Sequence, residues 1–219
     1  MLHICAMQVA TFTFNEFSEN TYVLFDNTKQ CAIIDPGCHK ASEQAELVNF
    51  IVQQNLTPTL LVNTHCHIDH VLGNAFVAKK YNLPLHLHKN ELETYRDTDR
   101  WAKMFGMVVE EIPEHQVYIN EANTLQFGNT TLQILYTPGH SVASLSFYEP
   151  QTKQLISGDV LFYQSIGRTD LPGGNFDTLI NSIRTKLFVL PDETVVYSGH
   201  GPKTTIGFEK MNNPFLSSN

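Results

Sequence analysis

The sequence predicts an α/β protein built as a four-layer sandwich, with two mixed β-sheets packed face to face and helices outside. Three observations carry this. Strand-like and helix-like stretches alternate on both sides of the chain's middle. The residues best suited to chemistry recur at the ends of predicted strands, which places them along one edge. A length of 219 residues (24.8 kDa) suits one domain, 1–219, with a core that needs no staples.

Taken in order, residues 7–25 alternate with period two (Val9, Phe12 and Phe14, then Tyr22, Val23 and Leu24) around a turn-like 15–20 segment, which reads as a strand pair. A short apolar strand at 31–34 is broken by Asp35-Pro36-Gly37; turn chemistry accounts for Asp35, and a supporting role beside a site is the second reading. Ala45, Val48, Ile51 and Val52 repeat at helical spacing over 41–55, and Pro58 stops the pattern before a strand at 59–63. A helix over 71–81 and a strand over 84–88 follow. His86 and His88 have no carboxylate spaced to match and are expected to be structural. Residues 92–115 are the least patterned, a surface excursion able to cover a site, with Trp101 and Phe105 expected to pack onto the body. Strands are expected at 117–119, 123–127, 130–136, 142–148, 154–157 and 194–198, with a hairpin turn at Gly128-Asn129 and a helix over 176–190 opened by Asn175 and closed by Pro191.

Composition narrows the function classes. With 14 basic and 22 acidic residues the formal charge is −8, and no basic run exceeds Lys79-Lys80, so nucleic acid and membrane surfaces are not expected partners. Cys5, Cys31, Cys38 and Cys66 form no Cys-x-x-Cys pair and read as reduced, buried, small apolar residues in a cytoplasmic protein. The N-terminus has neither a basic n-region nor an unbroken apolar stretch, so no signal peptide or membrane span is expected.

The chemistry concentrates in Thr64-His65-Cys66-His67-Ile68-Asp69-His70, directly after the apolar run Leu60-Leu61-Val62. Alternation along an extended segment starts His65, His67 and Asp69 on one side, and a sharp turn before the next helix would bring His70 beside Asp69, so one segment can feed two metals. Three further candidate ligands end later strands: His140 in Thr137-Pro138-Gly139-His140, Asp159 in Ser157-Gly158-Asp159, and His200 in Ser198-Gly199-His200-Gly201. His65, His67 and His140 make a three-imidazole set; Asp69, His70 and His200 make a carboxylate with two imidazoles; Asp159 is left to bridge. Two dications sharing an aspartate would hold a hydroxide between them. Zinc is the default for such ligands, and iron and manganese also suit them.

These four motifs resemble the metal-binding motifs of the metallo-β-lactamase-fold hydrolases over nearly the whole chain. Ile166-Gly167-Arg168-Thr169-Asp170 resembles the glyoxalase II group, the hydroxyacylglutathione hydrolases, above all its short bacterial branch; persulfide dioxygenases are similar there too. The resemblance implies the αββα fold, first-metal ligands His65, His67 and His140, second-metal ligands Asp69, His70 and His200, and Asp159 bridging. Larger glyoxalase II enzymes carry a C-terminal helical domain with glutathione contacts, whereas 19 residues follow His200 here, so that domain is not expected. The aspartate at 159 departs from the cysteine or serine usual at that point in β-lactamases of this fold.

The leading expectation is therefore a binuclear thioesterase of the hydroxyacylglutathione hydrolase type, acting on a small-molecule thioester such as one derived from glutathione, with catalytic Asp69 orienting the nucleophile. Arg168 is expected either to contact a substrate carboxylate or to tie down the Gly167 loop, and Tyr163 either to line the pocket or to pack. A mononuclear iron persulfide dioxygenase and a non-catalytic metal-binding module are the alternatives.

Overall fold

The computed structural model describes residues 6–216; Cys5 lies outside the described residues. The first sheet contains β1 (Gln8–Phe14), β2 (Glu19–Phe25), β3 (Gln30–Ile34), β4 (Thr57–Val62), β5 (Leu85–Leu87) and β6 (Gln116–Tyr118), in chain order across the sheet. Its first two pairings are antiparallel and its last three parallel, because α1 (Ala41–Gln53) and the segments after β4 and β5 return the chain to the same end. The second sheet is formed by β7 (Thr124–Phe127), β8 (Thr130–Tyr136), β9 (Leu145–Glu149) and β10 (Gln154–Gly158), with β13 (Val195–Ser198) and β14 (Thr204–Thr205) beyond β10. Only β10 and β13 pair in parallel there, and a separate hairpin of β11 (Leu161–Phe162) and β12 (Ser165–Ile166) stands between them in sequence.

Burial on both faces explains why β3 is apolar throughout after Gln30 and β2 from Tyr22 onward. Tyr22, Leu24, Ile34 and Val62 meet Phe127, Ile134 and Phe147 between the sheets. The alternate residues Val23, Ile33 and Leu61 face outward onto Leu47 and Ile51 of α1. On the other side, Leu155 and Val196 pack on Leu179 of α6 (Phe176–Ser182; α2–α5 are given below), with Ile183 and Leu187 in the π-turn that follows it, and on Ile206 of α7 (Ile206–Asn212). The predicted αββα order of layers is the observed one.

Local boundaries differ from the sequence expectation for identifiable reasons. The predicted 71–81 helix is two, α2 (Ile68–Val71) and α3 (Asn74–Tyr81), because Gly73 N–H donates out of the helix to Pro36 O at 2.7 Å. The excursion at 92–115 contains α4 (Leu92–Arg96) and α5 (Thr98–Phe105). The strand predicted at 142–148 begins only at Leu145, since Thr137 N–H bonds Ser144 O at 2.9 Å and closes 137–144 into a loop. His86 bonds Leu61 O through Nδ1, and His88 accepts from Asn90 N–H to cap a short 3₁₀ turn, so both are structural as expected. Cys31, Cys38 and Cys66 are buried and free, and burial pushes the first two thiols up to about 12. No helix among the described residues is long and apolar enough to cross a membrane.

At the end of the sandwich marked by the β2–β3 turn, the two sheets are joined through Asp26. Its buried carboxylate accepts from Thr28 N–H (2.9 Å) in its own turn and from Asn129 N–H (2.7 Å) and Thr130 Oγ1 (3.0 Å) in the β7–β8 hairpin. Gly128 makes this approach possible: its φ is +53°, and a Cβ there would lie 2.2 Å from Thr28 Oγ1. Burial raises the Asp26 pKa, but the bonds from Thr28, Asn129 and Thr130 outweigh it and hold the carboxyl below the usual value. Its stabilisation is therefore fully present above the ordinary aspartate pKa of about 3.9 and is lost as pH falls through the lower folded value. Asp26→Ala is expected to cost about 2–3 kcal/mol at pH 7 by stranding buried donors, and the gap from the parent protein in urea unfolding should narrow below about pH 4. A gap that stays constant to pH 3 contradicts the assignment.

Candidate metal centre

Both sheets send their parallel strands to one edge, and the polar cluster forms there. The loop after β4 brings His65 and His67, α2 brings Asp69 and His70, the 137–144 loop brings His140, and the ends of β10 and β13 bring Asp159 and His200. Ligand-type atoms of His65, His67 and His140 lie within 4.8 Å of one another, as do those of Asp69, His70 and His200. The same holds for Asp35, His65 and His70, a set the sequence reading did not anticipate. Asp159 stands between the two sets: Oδ2 is 3.4 Å from His140 Nε2 and 3.5 Å from His200 Nε2, and Oδ1 is 3.4 Å from His70 Nε2. Asp69 Oδ2 lies 3.0 Å from His200 Nε2 and 3.5 Å from His70 Nε2.

Surrounding acceptors decide which nitrogen of each ring faces inward. His140 Nδ1 is 2.8 Å from Arg168 O and His200 Nδ1 is 3.2 Å from Ser18 O; a carbonyl only accepts, so both Nδ1 atoms carry the proton. His70 Nδ1 donates to Asp35 Oδ2 at 3.1 Å. Thr64 Oγ1 gives its proton to Asp35 Oδ2 (2.6 Å) and so accepts from His65 Nδ1 (3.0 Å). Four rings therefore turn Nε2 toward the cluster, whereas His67 turns Nδ1, 2.8 Å from His140 Nε2. Asp35 thus combines both sequence readings: its φ of +48° makes the turn, and its carboxylate orients ring nitrogens.

The donor set fits divalent metal. Ligand atoms about 2.0–2.1 Å from a tetrahedral ion lie about 3.3 Å apart, close to the 3.2 Å between His140 Nε2 and His65 Nε2. His70 Nε2 and Asp159 Oδ1 are buried without a hydrogen-bond partner. Backbone has been kept clear as well, since a Cβ on Gly199 would lie 2.0 Å from Asp159 Oδ1. The two sets differ electrically. Burial first, then neighbouring rings, hold His65 well below the usual range and His67 down to about 3. Burial also depresses His70 and His200, but the Asp69 and Asp159 carboxylates overcome it and raise His70 strongly and His200 to about 10.

Several residues that hold the site gave no motif signal. Glu91, fully buried in the 3₁₀ turn after β5, accepts from Cys66 N–H (3.0 Å), Ser141 Oγ (2.7 Å) and Ala143 N–H (2.8 Å), clamping the His65–His67 segment to the loop of His140. Asn20 N–H bonds Gly199 O at 2.7 Å, and the Asn20 amide reaches Ser198 O and Gly201 O, which fixes His200. Glu19 is buried 3.9 Å from His70 Nδ1, and burial raises its pKa far above the carboxylate range. A lone carboxylate or amide in the sequence carries no sign of partners 25 to 181 residues away.

A cavity of about 580 Å³ opens over the cluster. Trp101 and Phe105 of α5 line it, together with Phe17, Phe162, Ile166 and Leu171, so the excursion covers the site; Trp101 packs onto the body at Ile68 and Leu72, as expected, and borders the cavity as well. Arg168 lines it too, yet its Nε and Nη2 donate to Asp170 Oδ1 (2.7 Å) and Oδ2 (2.8 Å). Tyr163 does not line it. The left-handed turn at Gln164 (φ +54°) sets Tyr163 on the far side of the β11–β12 hairpin, stacked on Phe208 with ring centroids 5.2 Å apart, and Phe162 takes the wall position.

Comparison with known proteins places this site in context. The chain is 36% identical over 215 residues to the hydroxyacylglutathione hydrolase GloC of Haemophilus influenzae, covering 97% of this chain and 99% of that one. The crystal structure of the BLEG-1 B3 metallo-beta-lactamase superposes with a TM-score of 0.85 at 34% identity, over 96% of this chain and 100% of that one. TTHA1623, solved in a di-iron-bound form, also gives 0.85, at 36% identity over 95% and 100% of the two chains. The sequence profile of the Metallo-beta-lactamase superfamily matches residues 15–200, which begins before Asp35 and ends on His200, and the chain belongs to that superfamily of metallo-hydrolases.

Proposed function

We propose that the protein is a binuclear metal-dependent thioesterase of the hydroxyacylglutathione hydrolase type. The observation that carries this is the convergence of five ring nitrogens and two carboxylates, with the outward nitrogens of four rings fixed by Ser18, Arg168, Asp35 and Thr64. The 36% identity to GloC points to the thioester class. His65, His67 and His140 would hold one ion, Asp69, His70 and His200 the other, and Asp159 would bridge. Zinc, iron and manganese all suit these donors, and the di-iron relative makes iron as reasonable as zinc. When bound, such a pair supplies a nucleophile from water at neutral pH and polarises a carbonyl oxygen.

The chain's own groups do the rest. Asp69 accepts a hydrogen bond from the attacking water and so aims its lone pair at the thioester carbon. The aromatic wall of Trp101, Phe105 and Phe162 keeps bulk water from the carbonyl, which strengthens every electrostatic interaction on the floor. A thiolate leaves without strong acid help, so no general acid is required. The likeness to BLEG-1 favours β-lactam hydrolysis as the second reading.

Elemental analysis should give about two ions per chain, and the loaded protein should hydrolyse S-lactoylglutathione faster than a chromogenic cephalosporin. One iron per chain with oxygen uptake on a persulfide, and no thioester turnover, would replace this reading by the dioxygenase; unfolding on metal removal, with no substrate turned over, would leave a structural module. Asp69→Ala should lose at least about a thousandfold in kcat, and full activity in that variant sinks the mechanism. Glu91→Gln sets an amide NH₂ against the N–H of either Cys66 or Ala143, since the two donate to different oxygens of the carboxylate. It should weaken the ion on His65, His67 and His140 by about 10- to 100-fold in chelator competition; unchanged affinity would refute the clamp.

A further inference from the structure

We infer that Tyr95, in the helix that opens the covering excursion, is a positioning residue for the metal centre: its hydroxyl ends a buried chain of side-chain hydrogen bonds that fixes Asp35 and, through it, the ring of His70. This role rests on the two-ion reading above and extends it to residues outside the ligand cluster. The order of the chain follows from the acceptors at its inner end. Asn63 Nδ2 lies 3.2 Å from Asp35 Oδ1 and 3.0 Å from His70 O. A carboxylate and a carbonyl oxygen only accept, so the amide nitrogen of Asn63 has to face them and its oxygen has to face away. Asn74 Nδ2 donates to that oxygen at 2.7 Å and gives its second hydrogen to the Tyr95 hydroxyl oxygen at 3.0 Å. Asp35, Asn63, Asn74 and Tyr95 are each 1% exposed or less, so water offers no substitute for a lost bond.

Packing gives the hydroxyl no reason of its own. The Tyr95 ring belongs to the apolar layer of Leu61, Leu85 and Leu87, where a phenylalanine ring would fill the same space. What the oxygen adds is an acceptor for Asn74. Without it one Asn74 hydrogen is stranded in the core, and the amide relieves this by turning its donor away from Asn63. Asn63 then loses the bond that holds its own amide, and Asp35 loses the rigidity with which Oδ2 receives His70 Nδ1 at 3.1 Å. The place of Tyr95 in the fold also connects this chain to the cavity. Glu91, one helical turn earlier, accepts from Cys66 N–H at 3.0 Å, and the Thr98 hydroxyl at the start of α5, the helix of Trp101, donates to Tyr95 O at 2.6 Å. The root of the excursion thus grips the ligand segment at Cys66 and at His70, and the cavity wall and the ligand rings share one support.

On the full chain, reconstituted with zinc and nitrogen-labelled in its histidines, the Nδ1–H proton of His70 can be identified by its loss in His70→Gln. It should exchange with solvent at least about fivefold faster in Tyr95→Phe than in the parent protein. Chelator competition should show that variant holding zinc about three- to tenfold more weakly, less than the loss expected for a group bonded directly to a ligand ring. Asn74→Leu, which removes both donors, should do at least as much in both readouts. Asp26→Ala is the control, since it destabilises the far end of the sandwich and should leave ring exchange and zinc affinity at the parent values. Unchanged ring exchange in Tyr95→Phe, unchanged affinity in a chain that does bind zinc, or equal changes in Asp26→Ala, overturns the inference. Faster ring exchange in Tyr95→Phe, in a protein that binds no zinc pair, would uphold the positioning chain while striking the two-ion reading.

Discussion

Asp35 is the interaction on which the edge of this molecule depends. A carboxylate buried at the end of a strand is costly unless its lone pairs are filled, and here Asn63, both donors of Thr64, and His70 fill them. Because Thr64 passes the constraint on to His65, one side chain determines the proton position on a ring from each of the two ligand sets. The same residue turns the chain out of β3 in a left-handed conformation that aspartate tolerates. Turn geometry and ring orientation are therefore a single constraint.

The two sheets contribute unequally but complementarily. The first delivers three histidines and Asp69 from one continuous stretch, and the second delivers His140, Asp159 and His200 from three separate strand ends. Bonds across the sandwich make the halves register: Leu145 N–H reaches Thr64 O at 2.8 Å, and the Tyr22 hydroxyl reaches Ser198 O at 2.5 Å. Two buried carboxylates facing the inward nitrogens of five rings form a cluster whose charge is balanced only by a cation or a proton, which is why donor identity and burial together favour metal.

The layer order and the seven clustered residues were legible in the sequence because both depend on short-range pattern: strand alternation, helical spacing, and histidines two or three residues apart. Glu91, Glu19 and Asn20 were not, since their roles exist only through partners far along the chain. Tyr163 and Phe162 show another limit. In a two-residue strand followed by a left-handed turn, periodicity cannot say which neighbour faces the cavity, and backbone geometry decides. That Trp101 and Phe105 border the cavity was hidden for a related reason: an amphipathic five-to-eight-residue helix in a charged excursion looks alike whether its apolar side meets the body alone or a cleft as well.

The staple at Asp26 acts like the spine of a book. It binds the β2–β3 turn to the β7–β8 hairpin at the opposite end of β2 and β3 from the ligands, so the leaves meet there whatever lies between the open margins. One wall of the cleft belongs to the α4–α5 excursion of the first leaf and the other to the β11–β12 hairpin of the second. Each margin can be redrafted by insertion or substitution on its own side without loosening the spine. Diversification of the guest, with the ligands left in place, is a freedom this binding confers.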